Sequence, residues 1–347
     1  MSTFDETKAD FEEEDEEFIE NLQIKVDPGQ STMRLDKYLS HHLKNISRNR
    51  IQNAIDADSV KVNGSSIKSS YKVKPSDDIV LSLARSSRIP KEVLPQDIPL
   101  NIVYEDDDVL LVNKAQEMVV HPGHGNHDGT LVNALVYHFG NLPSARDGEI
   151  RPGLVHRIDK GTSGLLVIAK NEFALQFLAK QFADHTTERT YYALIWGEPK
   201  EPKGTINAHI GRGFKDRRVS DVFPDGAYGK EAITHYEVLK TMRYVSLIKC
   251  NLETGRTHQI RAHMKYLGHP LFNDAAYGGD RILRGEIFSK YKQFVENCFS
   301  ILPRQALHAK SLGFIHPTTR KWMQFDSELP ADFQAVLDKW DHYLQFR

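Results

Sequence analysis

From about residue 33 the apolar positions of the chain fall into regular spacings. Leu35, Leu39 and Leu43 recur every fourth residue and predict one stripe of a short helix. Ser47 reads as the N-cap of a second helix whose buried face is Ile51, Ala54 and Ile55. Val60-Lys61-Val62 runs into Asn63-Gly64, a strong hairpin pair, and is followed by Ile67 and an alternating strand from Asp78 to Leu83. Together these predict a compact α+β unit over residues 23–85. Residues 86–100, with Ser86, Ser87, Arg88, Pro90, Pro95 and Pro99, read as a linker.

The remainder, residues 101–347, is β-rich. Ile102–Tyr104 and Val109–Val112 read as strands around the acidic turn Glu105–Asp108. Leu165–Ala169 is a continuous apolar run of strand length, which predicts burial on both faces. Phe173, Phe177, Leu178 and Phe182 predict an amphipathic helix, Tyr191–Trp196 and Tyr244–Leu252 further strands. After Pro330, the spacing of Phe333, Val336, Leu337, Trp340, Tyr343 and Leu344 predicts a docked C-terminal helix. At 347 residues the length suits about two domains.

The near-neutral total, 45 basic against 47 acidic residues, hides an asymmetry. Residues 1–20 carry ten acids and one lysine, leaving 44 basic and 37 acidic side chains, a net +7, in residues 21–347. So dense a block of like charge predicts a disordered acidic tail over residues 1–22, either solubilising or competing with a polyanion for the basic body. Arg34, Lys37, Lys44, Arg48, Arg50, Lys61 and Lys68 are spread through the first unit. Arg48 and Arg50 sit in a first helical turn, where the dipole disfavours cations, so a bound phosphate is their expected justification. No apolar run approaches the roughly 20 residues of a membrane span. Only two cysteines, Cys250 and Cys298, occur and form no CxxC pair, so a cytoplasmic protein is expected.

Candidate chemistry concentrates in two clusters. Arg151 to Gly164 (RPGLVHRIDKGTSG) is a polar, glycine-containing loop directly before the buried strand. Its Asp159 lies between Arg157 and Lys160, cations that would keep it ionised, although an aspartate in such a turn also serves as a simple cap. Glu253 to Met264 (ETGRTHQIRAHM) offers Arg256 and Arg261 as forks for phosphate or carboxylate. His258 and His263 are five apart, one too many for a helical zinc pair; His121, His124 and His127 share a glycine-rich loop that permits metal binding without a recognised ligand pattern. GxxxxGK[ST] is absent, which argues against nucleotide-triphosphate hydrolysis.

Read in order, HRIDKGTSGLLVIAKN, RTYYALIWG, TGRTHQIRAHMKYLGHPLFND and RQALHAKSLGFIHP resemble the RluA-type pseudouridine synthases, as does IVYEDDDVLLVNKAQEMVVHPGHGNHDGTLVNAL before them. The first unit, RLDKYL...SRNRIQNAI...VKVNG, resembles the alpha-L RNA-binding domain of a ribosomal protein. The resemblance implies a mixed, mostly antiparallel sheet with flanking helices, and isomerisation of uridine to pseudouridine in RNA, with large-subunit ribosomal RNA or its precursor particle as partner; the sequence is silent on oligomeric state, and a monomer is the default. It implies Asp159 as nucleophile, Ile158 standing where leucine is commoner. Tyr191, with Tyr192 as the next register, matches the active-site tyrosine, and Arg261 the arginine that pairs with the nucleophile. Arg157 matches the arginine that holds the extruded nucleotide; Arg256, His258, Arg34, Lys37, Arg48, Arg50 and Lys61 are expected to contact RNA. Because the reaction oxidises nothing and adds nothing, no cofactor and no metal are expected. The alternatives are a non-catalytic RNA-binding or ribosome-assembly factor on the same scaffold and a metal-dependent hydrolase built on the histidines. Residues 211–229 depart from shorter versions of the family.

Overall fold

The computed structural model describes residues 19–43, 46–84, 93–123, 126–140, 153–286 and 288–345. Most of the acidic tail, Lys44, the linker residues Ser86, Ser87, Arg88 and Pro90, His124 and Arg151 lie outside them.

The N-terminal unit runs β1 (Ile19–Lys25), β2 (Met33–Arg34), α1 (Leu35–His42), α2 (Arg48–Asp56), β3 (Val60–Val62), β4 (Ser65–Ser66), β5 (Lys72–Val73) and β6 (Asp78–Ala84). Its sheet has the order β1-β6-β3-β4, with β2 and β5 paired separately. The expected helices, cap and hairpin are present. The Ser47 hydroxyl accepts from Arg50 N at 3.3 Å, and Asn63 and Gly64 both take the positive φ that this tight turn requires. Leu35, Leu39, Ile51, Ala54, Val60 and Ile79 close the core.

One expectation needs correction here. Strand β1 starts at Ile19, inside the stretch read as tail, and pairs antiparallel with β6 from Ile19↔Ala84 to Lys25↔Asp78. Leu22 and Ile24 supply a period-two face that the adjoining acidic run obscured. The described part of the expected linker, residues 93–100, forms no helix or strand; it is tied down where Val93 is buried and where Asn133 donates to Leu94 O and accepts from Gln96 N through its main-chain carbonyl.

The second unit runs β7 (Ile102–Glu105), β8 (Val109–Lys114), α3 (Leu131–Phe139), β9 (Ser163–Ala169), α4 (Glu172–Ala183), β10 (Glu188–Trp196), β11 (Lys203–Asn207), β12 (His209–Arg212), β13 (Ser220–Phe223), β14 (Ile233–Met242), β15 (Val245–Leu252), α5 (Gln259–Tyr266), α6 (Ser289–Ile301), β16 (Leu307–Ile315), β17 (Trp322–Asp326) and α7 (Ala331–Gln345). The sheet order among the described residues is β11-β14-β15-β10-β16-β9-β8-β7, with β17 on β16 and a separate β12–β13 hairpin. All pairs are antiparallel except β16 with β9, parallel and only two residues long at His308↔Ser163 and Ala309↔Gly164. At this seam Gly164 has φ +117°, and a Cβ there would sit 2.3 Å from Ala309 O, so only glycine fits. β9 is buried along its whole length, sending Leu166 and Ile168 into one core and Leu165, Val167 and Ala169 into another.

Helix α4 forms as expected but on a rotated face. Ala174, Leu175, Leu178 and Ala179 are buried, whereas Phe173 and Phe177 are half-covered by the Arg320 guanidinium, 4.0 Å from the Phe177 ring centre. The same helix joins the two units: Gln176 Oε1 accepts from Ala84 N at 3.2 Å, and Glu172 meets Arg50 at 3.2 Å. Helix α7 docks as expected, burying Phe333, Val336 and Trp340 beside Trp196 and Phe272.

Candidate active site

The loop entering β9 is held by its backbone. His156 is buried and its Nε2 accepts from Val167 N at 3.1 Å; burial pushes its imidazole down to about 3, so it stays neutral and keeps that role. Thr162 N donates to Asp159 O at 3.0 Å, closing the turn. The next two carbonyls are each bound by a buried cation. Lys114 Nζ, which also donates to Ala115 O and Met118 O, reaches Lys160 O at 3.2 Å; Arg304 Nη1 donates to Gly161 O at 2.8 Å. Arg304 is itself fixed by a two-pronged pair with Asp332 of α7 at 2.9 and 3.0 Å. Burial pushes the Lys114 ammonium down to about 7, opposed by the negative charge of Asp159.

With the turn closed by main-chain bonds, the Asp159 carboxylate is free for other work. Its Oδ2 accepts from Arg261 Nη1 at 2.9 Å, and His258 Nε2 lies 3.9 Å away. Arg261 turns the rest of its fork on Asp274, with Nε to Oδ2 at 2.8 Å and Nη2 to Oδ1 at 2.9 Å. Asp274 is fully buried, while Asp159 remains 23% exposed toward the cleft. Tyr277 completes the shell: its ring lies 4.9 Å from the Arg261 guanidinium, and its hydroxyl shares a 3.1 Å hydrogen bond with His258 Nδ1. Burial alone would raise the Asp159 carboxyl, but the charges of His258, Arg261 and Arg157 and the Arg261 hydrogen bond outweigh it and hold the group below the ordinary range. Burial lowers the His258 imidazole, so at neutral pH Arg261 supplies the standing positive charge. His258 caps α5 with left-handed backbone, φ +56°, a conformation uncommon outside glycine and recurrent at functional sites.

Tyr191 projects from β10 into the same cleft, and Tyr192, the next residue along the strand, packs under Lys310 on the opposite face. This alternation puts Tyr191, and not Tyr192, in the cleft. Burial raises its phenol above the ordinary value, so the resting ring carries its proton; that suits stacking, and a base role requires the proton to leave in the loaded site. Arg157, Arg256 and His258 also line the cleft, which extends to Ile19 and Asn21 of β1. Among the described residues no group of three or more His, Cys, Asp or Glu side chains is placed to hold a metal.

Residues 108–266 match the model of the RNA pseudouridylate synthase family and residues 33–79 that of the S4 domain. The chain is 46% identical to an RNA pseudouridine synthase of Chlorobaculum parvum, covering 92% of this chain and 97% of the relative. The chain belongs to the RNA pseudouridine synthase family. The synthase is also 43% identical to the ribosomal large subunit pseudouridine synthase D of Zymomonas mobilis, over 87% of its own length and 92% of the relative. Among solved structures, human RNA pseudouridylate synthase domain containing 1 superposes with a TM-score of 0.50 at 26% identity, covering 72% of this chain and 96% of that one.

The basic residues expected to meet RNA in the S4 domain divide into two kinds. Lys37 is exposed and Lys61 half-exposed. Arg34 and Arg48 instead share the buried carboxylate of Asp36, at 2.9 and 2.7 Å, each keeping nearly half its side chain exposed. Arg50 is buried, spanning Glu172 and Ala84 O. Folding alone therefore accounts for both first-turn arginines of α2, and Arg50 in this position offers no fork to a phosphate. The sequence reading missed Asp274, Lys114, Arg304 and Tyr277. The one available signal was Arg261 itself, since a guanidinium fork serves two carboxylates readily.

Proposed function

We propose that this synthase isomerises uridines of large-subunit ribosomal RNA, with Asp159 as the nucleophile. The observation that carries the assignment is the ionised carboxylate held at 2.9 Å by Arg261 on a turn whose backbone is fixed independently, in a cleft shared with Tyr191. The target uridine is stacked in RNA and must swing out, at roughly a few kcal/mol, before any group reaches its ribose. Arg157, exposed at the cleft rim, fills or clamps the vacated place. The bond from C1′ to N1 breaks as Asp159 engages the nucleoside; the uracil turns against the Tyr191 ring; C1′ then joins C5. The proton leaving C5 and the proton gained at N1 balance, so no oxidant or cofactor enters the equation. The S4 domain supplies phosphate affinity beside the cleft, and the similarity to the Zymomonas enzyme favours the ribosomal target. Cys250 and Cys298, both free and buried, suit a reducing cytoplasm.

The test is base-resolution pseudouridine mapping of an unmodified large-subunit ribosomal RNA transcript treated with wild type or Asp159→Asn. The variant is expected to bind the RNA and form no product, a loss on the order of a thousandfold or more. Retained product would remove Asp159 from the mechanism, and modification confined to other RNAs would remove the ribosomal target.

A further inference from the structure

The hairpin β12–β13 and the turn after it carry an aromatic cluster that folding does not require. Phe214, Phe223 and Tyr228 meet pairwise with ring centres 5.0 to 5.3 Å apart, yet Phe214 is 73% exposed and Tyr228 45%. An exposed group of large apolar rings on an otherwise polar segment calls for a partner.

The cluster is built rigidly. Gly211 lacks the Cβ that would meet the Tyr228 ring at 2.7 Å, so the ring lies against the strand. Ile210 exchanges two main-chain hydrogen bonds with Lys230, at 2.8 and 2.9 Å, clamping the base of the segment. From there the structure is continuous to the catalytic arginine. Ser220 N donates to the Tyr277 hydroxyl at 2.9 Å, Tyr277 packs on Arg261, and Ile210 and Tyr277 share a small core with Ala262 of α5. The aromatic rings therefore stand at a fixed offset from Asp159. Arg217, Arg218 and Tyr228 line the wall of the cleft that holds Asp159.

We propose that Phe214, Phe223 and Tyr228 form a stacking platform for one unpaired base of the RNA beside the flipped uridine, with Arg217 meeting the intervening phosphates; the Arg218 fork is already taken by Asp216, at 2.8 Å. This rests on the RNA reading above and adds to it a site that selects substrates by an unpaired neighbour. RNA is favoured as occupant because Tyr228 lines the same cleft as Arg157, Arg217 and Arg256, and stacking on aromatic side chains next to a basic track is how single-stranded nucleotides are held. Since the base is stacked equally before and during reaction, the platform acts on binding: loss of the rings raises KM and leaves kcat nearly unchanged.

The experiment uses the full chain and the unmodified large-subunit ribosomal RNA transcript, with the modified uridine located by mapping. Phe214→Ala is expected to raise KM by about tenfold, within the range known for loss of one stacked base, with the melting temperature unchanged because the side chain is exposed. Phe214→Leu, which keeps apolar bulk, behaves like the alanine variant, and Phe214→Trp restores binding. A matching series of short hairpins carrying a single abasic nucleotide near the target uridine identifies the base: one position weakens wild type by the same factor and leaves Phe214→Ala unaffected. The platform is overturned by a wild-type KM in Phe214→Ala, by full activity in Phe214→Leu, or by wild-type self-association in sedimentation that Phe214→Ala abolishes, which would make the rings a contact between copies. If wild type modifies no uridine in the transcript, the ribosomal reading falls and the platform with it; if wild type is active and the variants match it, only the platform falls.

Discussion

The S4 domain and the cleft each hold a network of arginine and aspartate, with opposite stoichiometry. At the start of α1 one buried carboxylate, Asp36, gathers Arg34, Arg48 and the Gln52 amide, and the surplus of one positive charge is turned toward solvent on two half-exposed guanidiniums. In the cleft one buried guanidinium, Arg261, gathers two carboxylates, and the surplus negative charge is left on Asp159, the more exposed of the pair. The same hydrogen-bond chemistry thus presents a cationic surface in one place and a partly exposed anion in the other. What differs is which partner is buried in the minority, because the minority charge fixes the geometry and the majority charge is what a ligand meets. Asp274 is decisive for the second case: it occupies most of the guanidinium fork, so that Asp159 receives one nitrogen and keeps its other oxygen available.

The largest effect should follow from removing the minority charge in the cleft. Arg261→Gln strands Asp274 in the interior without its partner and should cost about 3–5 kcal/mol of stability, read by thermal or denaturant unfolding. It also leaves the burial of Asp159 opposed only by His258 and Arg157. A carboxyl held below its ordinary value is ionised throughout the neutral and mildly acidic range; with the cation gone its pKa rises, and the acid limb of kcat/KM moves to higher pH. Arg261→Lys, which keeps a charge but no fork to bridge two carboxylates, should fold better and still lose on the order of a hundredfold in kcat. An acid limb that stays in place in both variants would show that Arg261 does not set the state of Asp159.

The corresponding change in the S4 domain should be milder. Asp36→Asn removes the charge that holds two arginines, and should destabilise the domain by roughly 2 kcal/mol, less than a wholly buried pair because both guanidiniums keep much of their hydration. The arginines and the amide of Gln52 hold the Asp36 carboxyl well below the ordinary range. Its contribution is therefore present above the unfolded carboxyl value near 4 and disappears only as pH falls toward the lower folded value. Wild type should lose this increment in acid and Asp36→Asn should lack it already at pH 7; equal unfolding curves at pH 7 would show that the network is ornamental to the fold.

Much of this arrangement was legible in the sequence, and the boundary of legibility is physical. Local periodicity reported α1, α2, the Asn63-Gly64 hairpin, β9 and α7, because each buries a face set by residues close in the chain. Signature strings brought Asp159, Tyr191 and Arg261 forward, and the cleft assembles all three. The face of α4 departs from the one its aromatic residues predict, because a distant arginine, Arg320, covers Phe173 and Phe177 from outside. Arg50 was misjudged for a related reason: its partner, Glu172, is 122 positions away and belongs to the other unit. Lys114, Arg304 and Asp274 act through bonds across even wider or unpatterned separations, and no short-range spacing announces them.

The smallest expected effect separates cations that face RNA from cations that hold the fold. Each phosphate contact contributes about 0.7 to 0.9 to the slope of log affinity against log salt. Lys37→Gln and Lys61→Gln, on exposed or half-exposed side chains, should each flatten that slope by about one such increment and leave the unfolding curve in place. Arg50→Gln should do the reverse, leaving the slope unchanged and lowering the unfolding midpoint, because its guanidinium is committed to Glu172 and Ala84 O at the contact between the units. Filter binding of the large-subunit transcript over a salt series measures all three. A flattened slope in Arg50→Gln with unaltered stability would mean that the side chain swings out to the phosphate when RNA arrives, and that first-turn cations of α2 bind the backbone after all.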